Sequence, residues 1–494
     1  MSQRGRGRVR GGLRQNYRGN IRGRGAANGM RGTRNVVPMP PEIVSPREVL
    51  FSRNHEKDGF IKVVNCVEIR PKWQNIDLDV PNQPATASRC PLFEKFGTKN
   101  FLILVFPKSC PPNVVRSVLE TGLLVGIGGS QDKKLYRFFG HSSTQLRERK
   151  CVMYNYKEVG VFEDVISLFG EFNMTNVAKR AARIGLLLSS SLPVINLDER
   201  QITRISDIKR GGYCFTDGCG RISVSVAKML KEKLNEQVST RVHFIDFYAH
   251  QDQPYPSVYQ VRIMGCKGTL VLDTQLKDGI VIRDSMEKVK WKLPTGDGTP
   301  LRIVEGGKGV SFPNRFGSLN TQYIRLLSAL GVGDKVFLDM QKRCFEELNR
   351  IEDDQDVQVR YLCTYERYAE AEKILQTNSI DKETLMFLRK LRTTCMMQVQ
   401  QVKNPRYPAK IKLRIPLEKS RTLYGVADPS EKLKDGTCFL RVTIRGTPTV
   451  LERHKVVVTK SPCYYPGDVR VLTVVNLPEC SHLVDCIVFP VNGK

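Results

Sequence analysis

His454-Lys-Val-Val-Val-Thr-Lys-Ser-Pro-Cys-Tyr-Tyr-Pro-Gly-Asp-Val-Arg-Val-Leu-Thr-Val-Val475, with Asp485-Cys-Ile-Val-Phe-Pro-Val-Asn-Gly-Lys494 after it, is the stretch that decides the fold class. Three β-branched runs, Val456–Val458, Val469–Val475 and Ile487–Phe489, alternate with turn chemistry at Ser461-Pro462, Pro466-Gly467-Asp468 and Asn492-Gly493. Short apolar runs bounded by Pro, Gly, Asn and Asp read as buried strands with tight polar connections. Lys460, Asp468 and Arg470 sit at those connections and place charge where a polyanion can meet it.

Working outward, the two-residue period extends back to Asn404-Pro405, through Ile411, Leu413 and Ile415 and then Cys438, Leu440, Val442 and Ile444. Before that proline the period is 3.6. Leu319, Tyr323, Leu326, Leu327 and Leu330 share one helical face, Gly331-Val-Gly333 stops it, and Asp334 is the expected N-cap of the next helix. Phe337, Met340, Cys344 and Leu348 mark that helix, and Leu385, Leu388, Leu391 and Cys395 another. Residues 206–320 are strand-rich: His243–Ala249 and Tyr259–Met264 alternate, with Tyr259, Val261 and Ile263 on one face and Gln260 and Arg262 on the other. Thr269–Leu272 and Gly279–Arg283 continue the pattern. From Val49 to about Ile205 the pattern is mixed, with strands expected at Phe60–Val67 and Phe101–Phe106 and helices at Pro112–Thr121 and within Val161–Ala182. Gly126–Gln131 lacks the lysine of a phosphate loop and reads as a plain turn.

The chain of 494 residues is globular in composition, 40% hydrophobic and 26% charged, and its apolar runs are too short to span a bilayer. No membrane partner and no signal peptide are expected, which places the protein in the cytoplasm, the nucleus or both. The net charge is +28. Arg4, Arg6, Arg8, Arg10, Arg22 and Arg24 belong to a set of ten arginines within residues 1–35, a glycine-rich segment without an acidic residue. That segment is expected to be disordered and to contact RNA, while the +18 left over the rest makes the folded part basic as well. Fourteen cysteines are scattered, without a Cys-x-x-Cys pair, so buried reduced thiols are expected rather than a zinc site.

Two further stretches carry possible chemistry. Phe215-Thr-Asp-Gly-Cys-Gly-Arg-Ile-Ser223 is a tight turn whose amides are able to converge on an anion. Gln260-Val-Arg-Ile-Met-Gly-Cys-Lys-Gly268 holds Lys267 between glycines at a strand end, which suits a nucleotide phosphate. In chain order, "FTDGCGRIS" (215–223), "QVRIMGCKG" (260–268), "VIRDSMEKV" (281–289), "NRFGSLNTQYIRLLSALGV" (314–332), "SRTLYGVADPSEKLKDGTCFLRV" (420–442) and the terminal stretch resemble the cellular RNA-dependent RNA polymerases of RNA silencing. "RAARIGLLLSSS" (180–191) extends the likeness. One departure is Arg283-Asp-Ser285 where that family has Arg-Pro-Ser, which is expected to loosen the turn.

The resemblance implies a mixed β fold with a helical insert: a first double-psi β-barrel at 206–320, a helical connector at 321–405 and an incomplete second double-psi β-barrel at 406–494. An α+β N-terminal region (36–205) and the disordered Arg-Gly tail (1–35) precede them. It implies nucleotide contacts from Lys267 and Lys288, with Arg421, Lys460, Asp468 and Arg470 around the approach to the metal aspartates, and Arg262 toward nucleic acid. Substrates would be a single-stranded RNA template and nucleoside triphosphates, and RNA-silencing proteins the expected partners. Phosphoryl transfer in such a site uses Mg2+ held by clustered carboxylates. The family's Asp-x-Asp-Gly-Asp loop follows the terminal stretch, and Lys494 comes before it, so the metal ligands are expected to be missing and the chain inactive by itself. Asp77 with Asp79, and Asp353, Asp354 and Asp356, are expected to be solvated surface rather than a substitute. The alternative is a non-catalytic RNA-binding short form that regulates or competes with a full-length polymerase.

Overall fold

A computed structural model describes residues 46–492 apart from 57–58, 71–74, 129–130, 238–254, 292–297, 305–309, 312–316, 366, 401–412, 418 and 445–446. The Arg-Gly tail, the strand expected at His243–Ala249, Asn404-Pro405 and Ile411 lie outside the described residues. Residues 45–494 make up one unit.

The N-terminal sheet runs in the order β1-β6-β7-β8-β5-β2-β3, with β4 on β2. Its strands are β1 (Arg47–Phe51), β2 (Phe60–Arg70), β3 (Asn75–Asp79), β4 (Ala85–Thr86), β5 (Phe101–Val105), β6 (Leu123–Ile127), β7 (Lys134–Gly140) and β8 (Lys150–Asn155). Helices α1 (Pro91–Phe96), α2 (Pro112–Thr121), α3 (Ser143–Arg147), α4 (Tyr156–Val159), α5 (Phe162–Ser167) and α6 (Val177–Ile184) are short. In α2, Pro112 opens the helix where no backbone N–H is needed, and Val114, Ser117 and Val118 are its buried stripe. Asn176 caps α6 by accepting the Lys179 amide at 2.8 Å.

A first core sheet follows, in the order β10-β16-β13-β15-β14-β17-β9. It contains β9 (Ser191–Leu197), β10 (Ile202–Ile205), β13 (Cys219–Ile222), β14 (Val258–Ile263), β15 (Cys266–Leu272), β16 (Ile280–Arg283) and β17 (Thr299–Val304), while β11 (Lys209–Arg210) and β12 (Tyr213–Cys214) pair separately. Helix α7 (Val224–Gln237) leads away from β13. The alternation read in β14 holds: Tyr259, Val261 and Ile263 are buried, Gln260 and Arg262 half-buried. Close strand approach requires glycine at two places. A Cβ on Gly220 would lie 2.2 Å from the Val281 carbonyl oxygen, and one on Gly268 2.3 Å from that of Gly218. The N-terminal region is clamped onto this sheet by the buried Arg302, whose guanidinium donates to both Glu94 carboxylate oxygens (2.7 and 2.9 Å) and to Ser191.

The helical block comprises α8 (Thr321–Ala329), α9 (Asp334–Arg350), α10 (Gln355–Thr364), α11 (Tyr368–Thr377) and α12 (Lys382–Gln400). Two expectations are corrected here. Leu319 is not on α8 but in the two-residue strand β18 (Ser318–Leu319), paired with β19 (Ile415–Pro416), because Asn320 caps the helix by accepting the Gln322 and Tyr323 amides. Asp334 is the first residue of α9 rather than its cap; its carboxylate instead accepts the Ser328 hydroxyl across the Gly331 stop. Leu413 lies outside a strand, since β18 offers only two residues to pair with. Cys344, Leu348, Leu388, Leu391 and Cys395 form the buried seam between α9 and α12.

The second core sheet runs β20-β25-β21-β24-β23 with β22 on β21. Its strands are β20 (Tyr424–Ala427), β21 (Thr437–Ile444), β22 (Thr447–Val450), β23 (Lys455–Thr459), β24 (Val469–Val474) and β25 (Cys486–Phe489). The three β-branched runs of the opening stretch are therefore β23, β24 and β25. Both core sheets share one pairing pattern. In the first, β10 is parallel to β16, β16 antiparallel to β13, β13 parallel to β15 and β15 antiparallel to β14. In the second, β20, β25, β21, β24 and β23 repeat those four relations in the same chain order. One apolar cluster spans the two, with Val426, Phe439, Cys486 and Val488 packed among Cys219, Tyr259, Leu270 and Ile280. Polar ties cross the seam as well, from the Val484 amide to Ser257 (2.8 Å) and between the His482 ring and the Leu272 carbonyl (3.0 Å). All fourteen cysteines are free and only Cys214 is exposed; burial pushes the Cys66, Cys90 and Cys151 thiols up to about 12.

Candidate functional site

The hairpin of β14 and β15 turns at Met264-Gly265, and its register sets Arg262 directly opposite Lys267. Cross-strand neighbours on one face lie about 5 Å apart, and like charges there repel. Burial draws the Lys267 ammonium below its usual pKa, and Arg262, Lys288 and Arg183 add to the effect. Burial likewise lowers Arg262 to about 10, and its Nε atom has no hydrogen-bond partner among the described residues. Arg183, at the end of α6, also has a buried Nε without such a partner. Four cations from three parts of the chain thus meet at one place, with two guanidinium N–H groups unused. Such a cluster stores repulsion that an anion relieves.

Lys288 is delivered by the segment after β16. Its ammonium donates to the Ser285 carbonyl, and Ser285 is held in turn by Asp207, which accepts the Ser285 amide and hydroxyl (both 2.7 Å) and the Thr216 hydroxyl (2.9 Å). Burial disfavours the Asp207 charge, but these hydrogen bonds outweigh it and hold the carboxyl below its ordinary value. The expectation of a loosened Arg283-Asp-Ser285 turn is therefore corrected: Ser285 is anchored on both sides, and Arg283 ties the turn to the Cys219 and Ser206 carbonyls. The Phe215–Ser223 turn is not an anion nest either. Its Gly218 amide donates to Ser285 Oγ (2.9 Å) and its Cys219 amide to Thr216. Beside Lys288 lies a shallow groove of about 260 Å3, lined by Glu171, Asn173, Met174 and the segment Glu287–Lys290.

The second core sheet borders this cluster through Tyr424, whose hydroxyl donates to Gln260 Oε1 (3.4 Å). Arg421, at the entry to that sheet, donates to the Ser420 carbonyl and faces Asp485; burial lowers its pKa against that carboxylate's pull. Lys460, Asp468 and Arg470 stand at the β23–β24 tip, and no described hydrogen bond or ion pair joins them to Lys267. Lys460 and Arg470 are exposed. Asp468 has a structural task, accepting the Tyr464 and Tyr465 amides (3.2 and 3.3 Å). Arg4, Arg6, Arg8, Arg10, Arg22 and Arg24 are outside the described residues.

The carboxylates of the second sheet do not fit a Mg2+ site. Asp428 accepts the Ser430, Lys432 and Leu433 amides, and Asp485 is buried against the Thr443 amide and hydroxyl. Asp354 caps α10 by accepting the Val357 amide. Among the described residues no three His, Cys, Asp or Glu side chains converge as metal ligands. Sequence reasoning missed Arg183 and Tyr424 as neighbours of the cluster, although both lie in quoted motifs, because Arg183 is one of three basic residues in α6 and nothing local sets it apart.

Comparison with known proteins names the class. The sequence model of the RNA dependent RNA polymerase family matches residues 79–494, and the chain belongs to that family. It is 33% identical over 479 residues to RNA-dependent RNA polymerase 6 of Arabidopsis thaliana, covering 92% of this chain and 36% of that protein. It is 30% identical to the probable RNA-dependent RNA polymerase 1 of Oryza sativa subsp. japonica, covering 77% of this chain and 47% of the relative. Among solved structures, the RNA dependent RNA polymerase QDE-1 from Thielavia terrestris has a similar fold, with a TM-score of 0.61 at 19% identity over 89% of this chain and 52% of that one. The chain thus spans between about a third and a half of the length of these relatives. Among the described residues, no helix is long and apolar enough to cross a membrane.

Proposed function

We propose that this chain forms the nucleotide- and RNA-holding part of an RNA-directed RNA polymerase that copies single-stranded RNA for small-RNA silencing. The observation that carries the reading is the convergence of Lys267, Arg262, Lys288 and Arg183 at the seam between the two core sheets. In this reading the sheets are two double-psi β-barrels, with the strand pairing they share as support, and the helical block joins them. Lys267 and Lys288 hold the triphosphate, and Arg262 holds the charge that develops beside it. The chain by itself binds RNA without extending it, because no carboxylate set for Mg2+ is present among its described residues. That last point favours the second reading, an RNA-binding form without catalysis, for the isolated chain.

The test is the binding of a fluorescent nucleoside triphosphate to the full chain and to a Lys267→Ala/Lys288→Ala variant, at low and moderate salt. A tenfold or greater loss with a weaker salt dependence is the expected result. Equal affinity in the variant would refute the assignment, and Mg2+-dependent incorporation on a single-stranded template by this chain alone would refute the non-catalytic part.

A further inference from the structure

The β23–β24 hairpin ends in a tip built to hold aromatic rings in solvent. The neighbouring Tyr464 and Tyr465 are 63% and 71% exposed, which sets two aromatic side chains side by side in solvent. Their backbone is nevertheless fixed. Asp468 accepts both tyrosine amides, and Pro466–Asp468 forms a 3-10 turn directly behind the rings. On the other side, Cys463 is buried and its amide donates to Gln322 Oε1 (3.4 Å), while Ser461 Oγ and the Tyr323 hydroxyl lie 2.7 Å apart. The tip is thereby pinned to α8 while both tyrosines stay exposed.

The exposed charge beside the rings is cationic. Lys460 and Arg470 are exposed next to the tyrosines with no ion pair among the described residues, while the half-buried Asp468 carboxylate is turned to the two tyrosine amides. Exposed aromatic faces framed by uncompensated cations match a single-stranded nucleic acid, whose bases stack on the rings while phosphates meet the cations. An apolar protein partner would find two cations beside two phenols, and a duplex would hide its base faces.

We infer that Tyr464 and Tyr465 are a base-stacking platform for single-stranded RNA, steered by Lys460 and Arg470 and held in place by Asp468 as a positioning residue. This rests on the proposed RNA-handling reading and adds to it a contact separate from the Lys267 cluster.

The experiment uses the full chain and an oligouridylate carrying one 2-aminopurine, with anisotropy for affinity and 2-aminopurine fluorescence for stacking. The wild type is expected to bind and to quench the probe. Tyr464→Ala/Tyr465→Ala should weaken binding about 5- to 100-fold with an unchanged salt slope and abolish the quenching. Tyr464→Phe/Tyr465→Phe should retain both, which also guards against a folding defect in the alanine variant. Lys460→Gln/Arg470→Gln should lower the salt slope by about 1.4 for two phosphates and leave quenching in place. Tight binding by the alanine variant with the quench intact overturns the platform while leaving the RNA-handling reading standing. Self-association that vanishes in the alanine variant at unchanged RNA affinity assigns the tip to a protein contact and overturns it too. Failure of the wild type to bind any single strand removes the underlying reading itself.

Discussion

Asp207→Asn isolates the hydrogen-bond network that sets Lys288. In the native turn, Asp207 Oδ2 accepts the Ser285 amide, and Oδ1 accepts the Ser285 and Thr216 hydroxyls. If the asparagine oxygen keeps the two hydroxyls, its NH2 group must face the Ser285 amide, donor against donor. One charge-assisted bond is lost and two others are weakened, such a bond being worth about 1.5–3 kcal/mol where solvent is excluded. Asp207 is only half-buried, so a net cost of about 1–2 kcal/mol is expected. Local opening is the right observable, since a chain of several layers need not unfold in one step. Amide exchange in peptides spanning 213–222 and 283–289 should quicken about 5- to 30-fold at neutral pH, with the N-terminal sheet unchanged. The pH dependence follows from the lowered native pKa. A carboxyl whose folded pKa lies below its unfolded value near 3.8 contributes stability above that value and loses it as pH falls through the folded pKa. The difference between wild type and variant should accordingly shrink as the pH falls below the unfolded value and through the lowered native one. Equal exchange at neutral pH, or a difference that persists undiminished in acid, would refute the network's role.

Gly268→Ala should disrupt the first core sheet, because its Cβ would press on the Gly218 carbonyl at 2.3 Å and on Met286 at 2.9 Å; a cost of about 3 kcal/mol is expected. Gly333→Ala, with nothing within 4 Å, is the control, and a Gly268→Ala protein that melts like wild type would sink the close-approach argument. For Asp485, burial raises the carboxyl pKa, only partly offset by Thr443 and Arg421, so its contribution is fully present at acid pH and declines as pH rises through the raised value. Asp485→Asn keeps both Thr443 contacts, and asparagine tolerates the φ of 55°. Denaturation at acid and neutral pH should show a variant at least as stable as wild type at neutral pH and flatter across the range; a loss of about 2 kcal/mol at neutral pH would contradict this.

Local chemistry made much of the chain legible. The periods in Tyr259–Met264, Phe337–Leu348 and Val456–Val458 became β14, α9 and β23 because side-chain alternation is a property of a few consecutive residues. Hydrogen-bond partners were harder to read. Asp334, expected as a helix cap, instead bridges to Ser328, and Asp468 accepts the two tyrosine amides just before it. Nothing in either sequence neighbourhood says which donor a carboxylate will meet.

The sequence by itself determined the strand, helix, strand order, the basic character of the chain and the motifs through which it resembles its family. Only the tertiary structure decided which cations meet. Arg262 faces Lys267 through a hairpin register, Lys288 arrives on a turn pinned by Asp207, and Arg183 comes from a helix outside the core sheets. The parallel pairings β10 with β16 and β20 with β25 join segments more than sixty residues apart, so their register answers to burial on both faces of a sheet. Residue spacing carries no information about such a closure, and the candidate site is a consequence of it.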